Sequence, residues 1–145
     1  MFEDDLLNIE DDDKKIILEK CEKMLESHLS VYFDVHEFES LIDFYIEQNK
    51  ISKAYKVLNI ALQQHPNSFE LDLKRAKLLT DNNHPQEALS ILDKLENIDR
   101  DNYEVYIIKG MCYSAIDKDI KAEENYDKGL SLMTEDFSDK EDALY

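Results

Sequence analysis

The side chains able to do chemistry are few and scattered. Two cysteines, Cys21 and Cys112, are too few for a disulfide framework, or for a four-ligand zinc site without heavy help from histidine. Both are expected as buried, reduced thiols, Cys112 because it lies in the Met111-Cys112-Tyr113 run of an apolar helix pattern. The sequence holds no Gly-rich phosphate loop, no His-Glu-x-x-His zinc motif and no nucleophile elbow. Asp117-Lys118-Asp119-Ile120-Lys121 opens like a calcium loop, yet it lacks the glycine and has Lys128 at the place of the bidentate glutamate, so it reads as a helix turn. His36, Glu39 and Asp43 share one helical face and have the donors for a divalent ion; without a fixed geometry they read as a solvated acidic face. His28, His65 and His84 fall near expected helix ends or turns, without partners. No catalytic residue, metal or cofactor is expected, and the chain reads as non-enzymatic.

What is left is a surface that binds, and its positioning depends on the elements around it. At 145 residues and 43% hydrophobic, the chain is expected to form one compact unit with a real core. Gly and Pro appear only twice each, against roughly 7% and 5% in an average protein, which disfavours turn-rich β-sandwiches and Gly-loop folds and favours helices. The formal charge of −17 speaks against phosphate backbones and anionic membranes, so neither nucleic acid nor a membrane is an expected partner. Residues 1–13 hold seven acids and no base, an acidic lead-in with neither a signal-peptide pattern nor a long apolar run after it; a cytoplasmic chain is the expectation. Ile17, Leu18, Cys21, Met24, Leu25 and Leu29 then fall on one arc at helical spacing, so residues 14–31 read as an amphipathic helix that needs a neighbour.

Beyond Tyr32 the sequence repeats itself at 34 residues: Ala54, Ala88 and Ala122 superpose, as do Tyr45, Leu79 and Tyr113, and Ile42, Ala76 and Gly110. Within each unit two apolar helical patterns flank a polar break, Gln48-Asn49-Lys50, then Asp81-Asn82-Asn83-His84, then Asp117-Lys118-Asp119. Asn and Asp accept the left-handed conformation at a helix end, so they can stand where glycine usually would. Pro85 suits a first helical turn, and Asp34 with Glu37 and Asn67 with Glu70 are expected to open first helices as N-cap pairs. The expected helices are 35–48 and 51–64, 69–81 and 85–97, and 103–116 and 119–132.

A 34-residue helix-turn-helix period with alanine in the second helix resembles the tetratricopeptide repeat. The first unit (35–68) matches best, with Phe38, Leu41, Tyr45, Ala54, Leu58, Ala61 and Pro66; the third (103–136) keeps Tyr106, Gly110, Tyr113, Ala122, Tyr126 and Gly129. The second (69–102) departs, with Asp72, Arg75 and Arg100 at the aromatic, leucine and proline places. Tyr32-Phe33-Asp34 before an acidic, aromatic-rich helix also resembles bacterial repeat proteins of this family. The resemblance implies an all-α, right-handed superhelix of antiparallel helix hairpins over 35–134, in which Ala54, Ala76, Ala88, Gly110, Ala122 and Gly129 let backbones approach while Phe38, Tyr45, Tyr106 and Tyr113 fill the spaces. Phe137, Ala143 and Leu144 restart an apolar pattern, so residues 137–145 read as a closing helix or the start of a further repeat.

The same resemblance implies a function and its residues. First helices would line a concave groove through His36, Glu39, Asp43, Ile46 and Glu47; Glu70, Leu73, Lys77, Thr80 and Asp81; and Glu104, Ile107, Met111, Ser114 and Ala115. Such a groove is acidic at the first unit and apolar toward the third. Relatives that clamp a C-terminal carboxylate use Lys and Asn where this chain has Glu39 and Asp43, which contradicts that role here. The expected partner is a protein or peptide that is basic and partly apolar; the alternatives are a structural or oligomerising segment of a longer repeat array, with a homo-oligomer in view, and an acidic chaperone for a basic protein. The helix at 14–31 is expected to cap the first hairpin, with filling of the groove as the alternative.

Overall fold

The computed structural model describes the backbone of residues 12–143 and the side chains of residues 12–135. The lead-in before Asp12, the side chains of Phe137 and Ala143, and Leu144 lie outside the described residues. Seven helices make up the described chain: α1 (Asp12–Ser27), α2 (Val35–Glu47), α3 (Ile51–Gln64), α4 (Phe69–Asp81), α5 (Pro85–Ile98), α6 (Tyr103–Ala115) and α7 (Asp119–Ala143). Where one compact unit was expected, the fold divides into two, with the division inside α4 between Leu71 and Asp72. The reason lies in the repeat: its contacts join helices that are neighbours in sequence, so no single core gathers the whole chain.

In the first unit α2 opens at Asp34, whose Oδ1 accepts from the Glu37 amide at 2.7 Å while Glu37 Oε1 accepts from the Asp34 amide at 2.9 Å. It closes with Asn49 in the left-handed region (φ 57°); the Lys50 amide donates to the Tyr45 carbonyl at 2.8 Å and the Asn49 amide to that of Ile46 at 2.9 Å. This stop reverses the chain into α3, and Phe38, Leu41, Ile42 and Tyr45 bury against Ala54, Val57, Leu58 and Ala61. Each large side chain so buried stabilises by about 1.5–3 kcal/mol. Residues Val31 and Phe33 are tied to the far end of α3: Gln64 Nε2 donates to the Val31 carbonyl at 2.8 Å, Gln64 Oε1 accepts from the Phe33 amide at 3.2 Å, and His65 Nε2 donates to the Phe33 carbonyl at 2.8 Å. The expectation that His65 lacks partners is thus corrected, and its ring also lies 5.4 Å from that of Tyr32 and 5.9 Å from that of Phe38. A second correction concerns the start of α4, where Ser68 replaces Asn67 as the cap: Ser68 Oγ accepts from the Leu71 amide at 3.2 Å.

The second unit uses the same stop twice more. Asn83 (φ 65°) and Asp117 (φ 61°) are left-handed, and the His84 and Lys118 amides reach back to the carbonyls of Leu79 and Tyr113 at 2.8 and 2.9 Å. Asn49, Asn83 and Asp117 are spaced by the 34-residue period, so the repeat is written into the backbone as well as the side chains. Pro85 occupies the first turn of α5, and Asn102 Oδ1 caps α6 by accepting from the Glu104 amide at 3.0 Å. Gly110 and Gly129 lie in the α6–α7 contact: a Cβ at 110 would stand 2.7 Å from the Tyr126 ring, and one at 129 would stand 2.7 Å from Ile107 Cδ1. Helix α7 runs unbroken to Ala143, past the expected end at 132, so no separate helix begins at 137. No glycine or proline follows Gly129, and nothing else in that stretch forces a stop.

Candidate interaction surfaces

Helix α2 turns one face to its hairpin and leaves the other open. Phe38, Leu41 and Tyr45 are buried, whereas Asp43 and Glu47 are exposed, His36 keeps 93% of its side chain exposed, and Glu39 and Ile46 are half-buried. His36 Nδ1 lies 3.7 Å from Glu39 Oε1, a spacing that gains charge character only when the ring is protonated. Among the described residues no cluster of three His, Cys, Asp or Glu side chains has the geometry to hold a metal ion.

Helix α1 lies against α2 and is tied to the hairpin by a partly buried network. The Tyr45 hydroxyl donates to Glu22 Oε1 and lies 3.9 Å from Cys21 Sγ, while Lys53 of α3 pairs with Glu22 at 3.3 Å and stands 5.8 Å from the centre of the Tyr45 ring. Burial pushes the Cys21 thiol up to about 11, and burial with the Glu22 hydrogen bond pushes the Tyr45 phenol up as well. Both groups therefore stay protonated at neutral pH, which leaves Cys21 a packing residue without nucleophilic character. This contact leaves His36, Asp43 and Glu47 exposed, and it leaves a cleft of about 660 Å³ between α1 and α2. Ile17 and Leu18 of α1 and Leu41 and Phe44 of α2 supply its apolar lining, with Asp34, Asp43 and Glu47 among the carboxylates around it. Glu70, in the first turn of α4, is also exposed.

In the second unit the expected surface residues separate. Lys77, Glu104 and Met111 are exposed, Met111 at 38%, and Leu73 is half-buried. Ile107 instead sets its Cδ1 and Cγ1 against Gly129 of α7, so part of its side chain packs inside its own hairpin. Ala76, Ala88 and Ala122 are buried, as are Tyr106, Gly110 and Gly129, and Ala54 is buried in the first unit. Tyr113 is only half-buried and carries Lys121 Nζ 5.5 Å from its ring centre. Cys112 is buried, 3.2 Å from Thr80 Oγ1, and burial raises its thiol.

Sequence reasoning missed Lys109. It is a buried lysine on α6 whose Nζ sits 2.9 Å from Asp93 Oδ1 and 3.2 Å from Glu96 Oε1 of α5. Burial works against its charge, but the two carboxylates outweigh burial and leave its pKa raised. The i, i+3 spacing of Asp93 and Glu96 was the available signal, since it sets both acids on one edge of a helix.

No described helix is long and apolar enough to cross a membrane. Residues 45–112 match the family model described as Tetratricopeptide repeat. Among solved structures, the fold is similar to the chain titled "MamA MSR-1 C2", with a TM-score of 0.64 at 14% identity, covering 90% of this chain and 84% of that one. No curated protein matches the sequence.

Proposed function

We propose, on the tetratricopeptide-repeat match over residues 45–112 and the repeat fold, that this chain is a non-enzymatic scaffold whose exposed first-helix residues bind a partner protein, the first unit suiting a basic, partly apolar segment. The observation that carries the reading is the split in exposure along those helices. Phe38, Tyr45 and Ala76 are buried for packing, while His36, Asp43, Glu47, Lys77 and Met111 stay in solvent. Packing accounts for the first set, and the second set lies at the surface. In the first unit the acidic face of α2 suits lysine or arginine; in the second unit, taken by itself, Leu73 and Met111 suit apolar contacts. Exposed ion pairs add roughly 0–1 kcal/mol each, so the acids of α2 would set orientation and rate more than affinity.

Affinity capture from source cells tests this, with the wild type beside Leu73→Asp/Met111→Asp and Asp43→Lys/Glu47→Lys. Loss of specific proteins from the variant lists is expected, and identical lists would contradict the reading. A second reading, self-association, is favoured by Ile120 and Leu130, which leave 77% and 53% of their surface exposed on α7. Light scattering decides it: a monomer mass at all concentrations removes this reading, and a concentration-dependent dimer supports it.

A further inference from the structure

We propose that the cleft between α1 and α2 receives one amphipathic, lysine- or arginine-bearing helical segment of a partner protein, with α1 forming half of the receiving surface. The proposal rests on the scaffold reading above and narrows it to a place. The cleft lies wholly within the first unit, at about 660 Å³, which is room for several side chains. Its apolar lining comes from both helices, Ile17 and Leu18 on one side and Leu41 and Phe44 on the other. Ile17 and Phe44 are half-buried, so burial is incomplete until something covers them.

The charge around that lining commits the occupant. Five of the lining residues are carboxylates and one, Lys14, is a lysine. Asp34 and Glu37 already serve the α2 capping box. An anionic occupant would meet five carboxylates against one lysine, whereas a helix with leucines on one face and lysines at its borders suits both the apolar lining and its acidic border. The α1 wall is also fixed on its far side. Cys21 and Glu22 hold α1 to Tyr45 and Lys53, none of which lines the cleft, so an occupant can enter without breaking the network that positions the wall.

The experiment is an NMR titration of the full chain with a synthetic amphipathic helix carrying leucine on one face and lysine on the other, against a twin with glutamate for lysine. Amide shifts clustered on Ile17, Ser40, Phe44 and Glu47 with the lysine peptide, and none with its twin, are expected. Asp43→Lys/Glu47→Lys changes only exposed positions and should weaken that binding by about tenfold or more. Shifts on α4 and α6, with binding unchanged in this variant, would overturn the cleft and leave the scaffold reading standing. No binding by either peptide would overturn the cleft proposal, and the scaffold reading would then rest on the capture experiment alone.

Discussion

Tyr126 leaves no room for a side chain at residue 110, and this overlap marks one of two equally close points of the α6–α7 contact. Leucine would gain up to about 1 kcal/mol of helix propensity over glycine, but forcing its side chain against the ring costs about 1–3 kcal/mol by overpacking. Gly110→Leu is therefore expected to lower the melting temperature, and an unchanged melting curve would contradict the packing. Titration behaviour is set at this scale too. The Cys21 thiol lies near 9.0 when unperturbed and is pushed up to about 11 by burial, so the folded state binds its proton more tightly than the unfolded one. Its contribution is present below pH 9 and is lost as pH rises from 9 through 11; Tyr45 and Lys109, also raised, act in the same direction. Urea denaturation should show stability falling between pH 8 and 11, and Cys21→Ala should flatten that fall. A profile that rises toward alkaline pH would contradict the burial of these groups.

At the scale of the helix, three left-handed residues end first helices at one period, and each stop is followed by the same pair of backward hydrogen bonds. An alanine in that conformation costs roughly 1–2 kcal/mol, where glycine fits without strain. Asn83→Ala is expected to shift the urea midpoint down by a loss of about 1 kcal/mol while Asn83→Gly holds or raises it; equal effects would contradict the turn geometry. These stops were legible in the sequence because Asn49, Asn83 and Asp117 occupy the polar breaks, and the capping box of Asp34 and Glu37 was legible from its spacing. Ser68 displaced Asn67 because adjacent residues with similar capping chemistry differ only in backbone path, which sequence does not display. The partners of His65 and the ion pairs of Lys109 were hidden for another reason: each joins residues brought together by the docking of separate elements. That His36, Glu39 and Asp43 share one face of α2 was legible from helical period. The cleft was not, since it exists only where α1 comes to rest.

Across the whole molecule the charge of −17 is unevenly placed. Residues 1–13 carry seven acids and no base, and residues 135–145 carry five acids and one lysine, which leaves only −6 on residues 14–134. Acidity that could select a partner is thus concentrated in the ends and on the open face of α2, and the field it creates acts over about 8 Å at physiological ionic strength. Binding led by these charges should weaken as salt rises, chiefly through slower association, while binding led by Leu73 and Met111 should not. Selection from a random-peptide library against the purified chain, with Asp43→Lys/Glu47→Lys and Leu73→Asp/Met111→Asp in parallel, tests the central claim most directly. The scaffold account predicts enrichment of peptides that combine lysine or arginine with apolar residues, reduced by one or both variants. Enrichment of acidic peptides, no enrichment over an unrelated acidic protein, or enrichment that neither variant changes would contradict it.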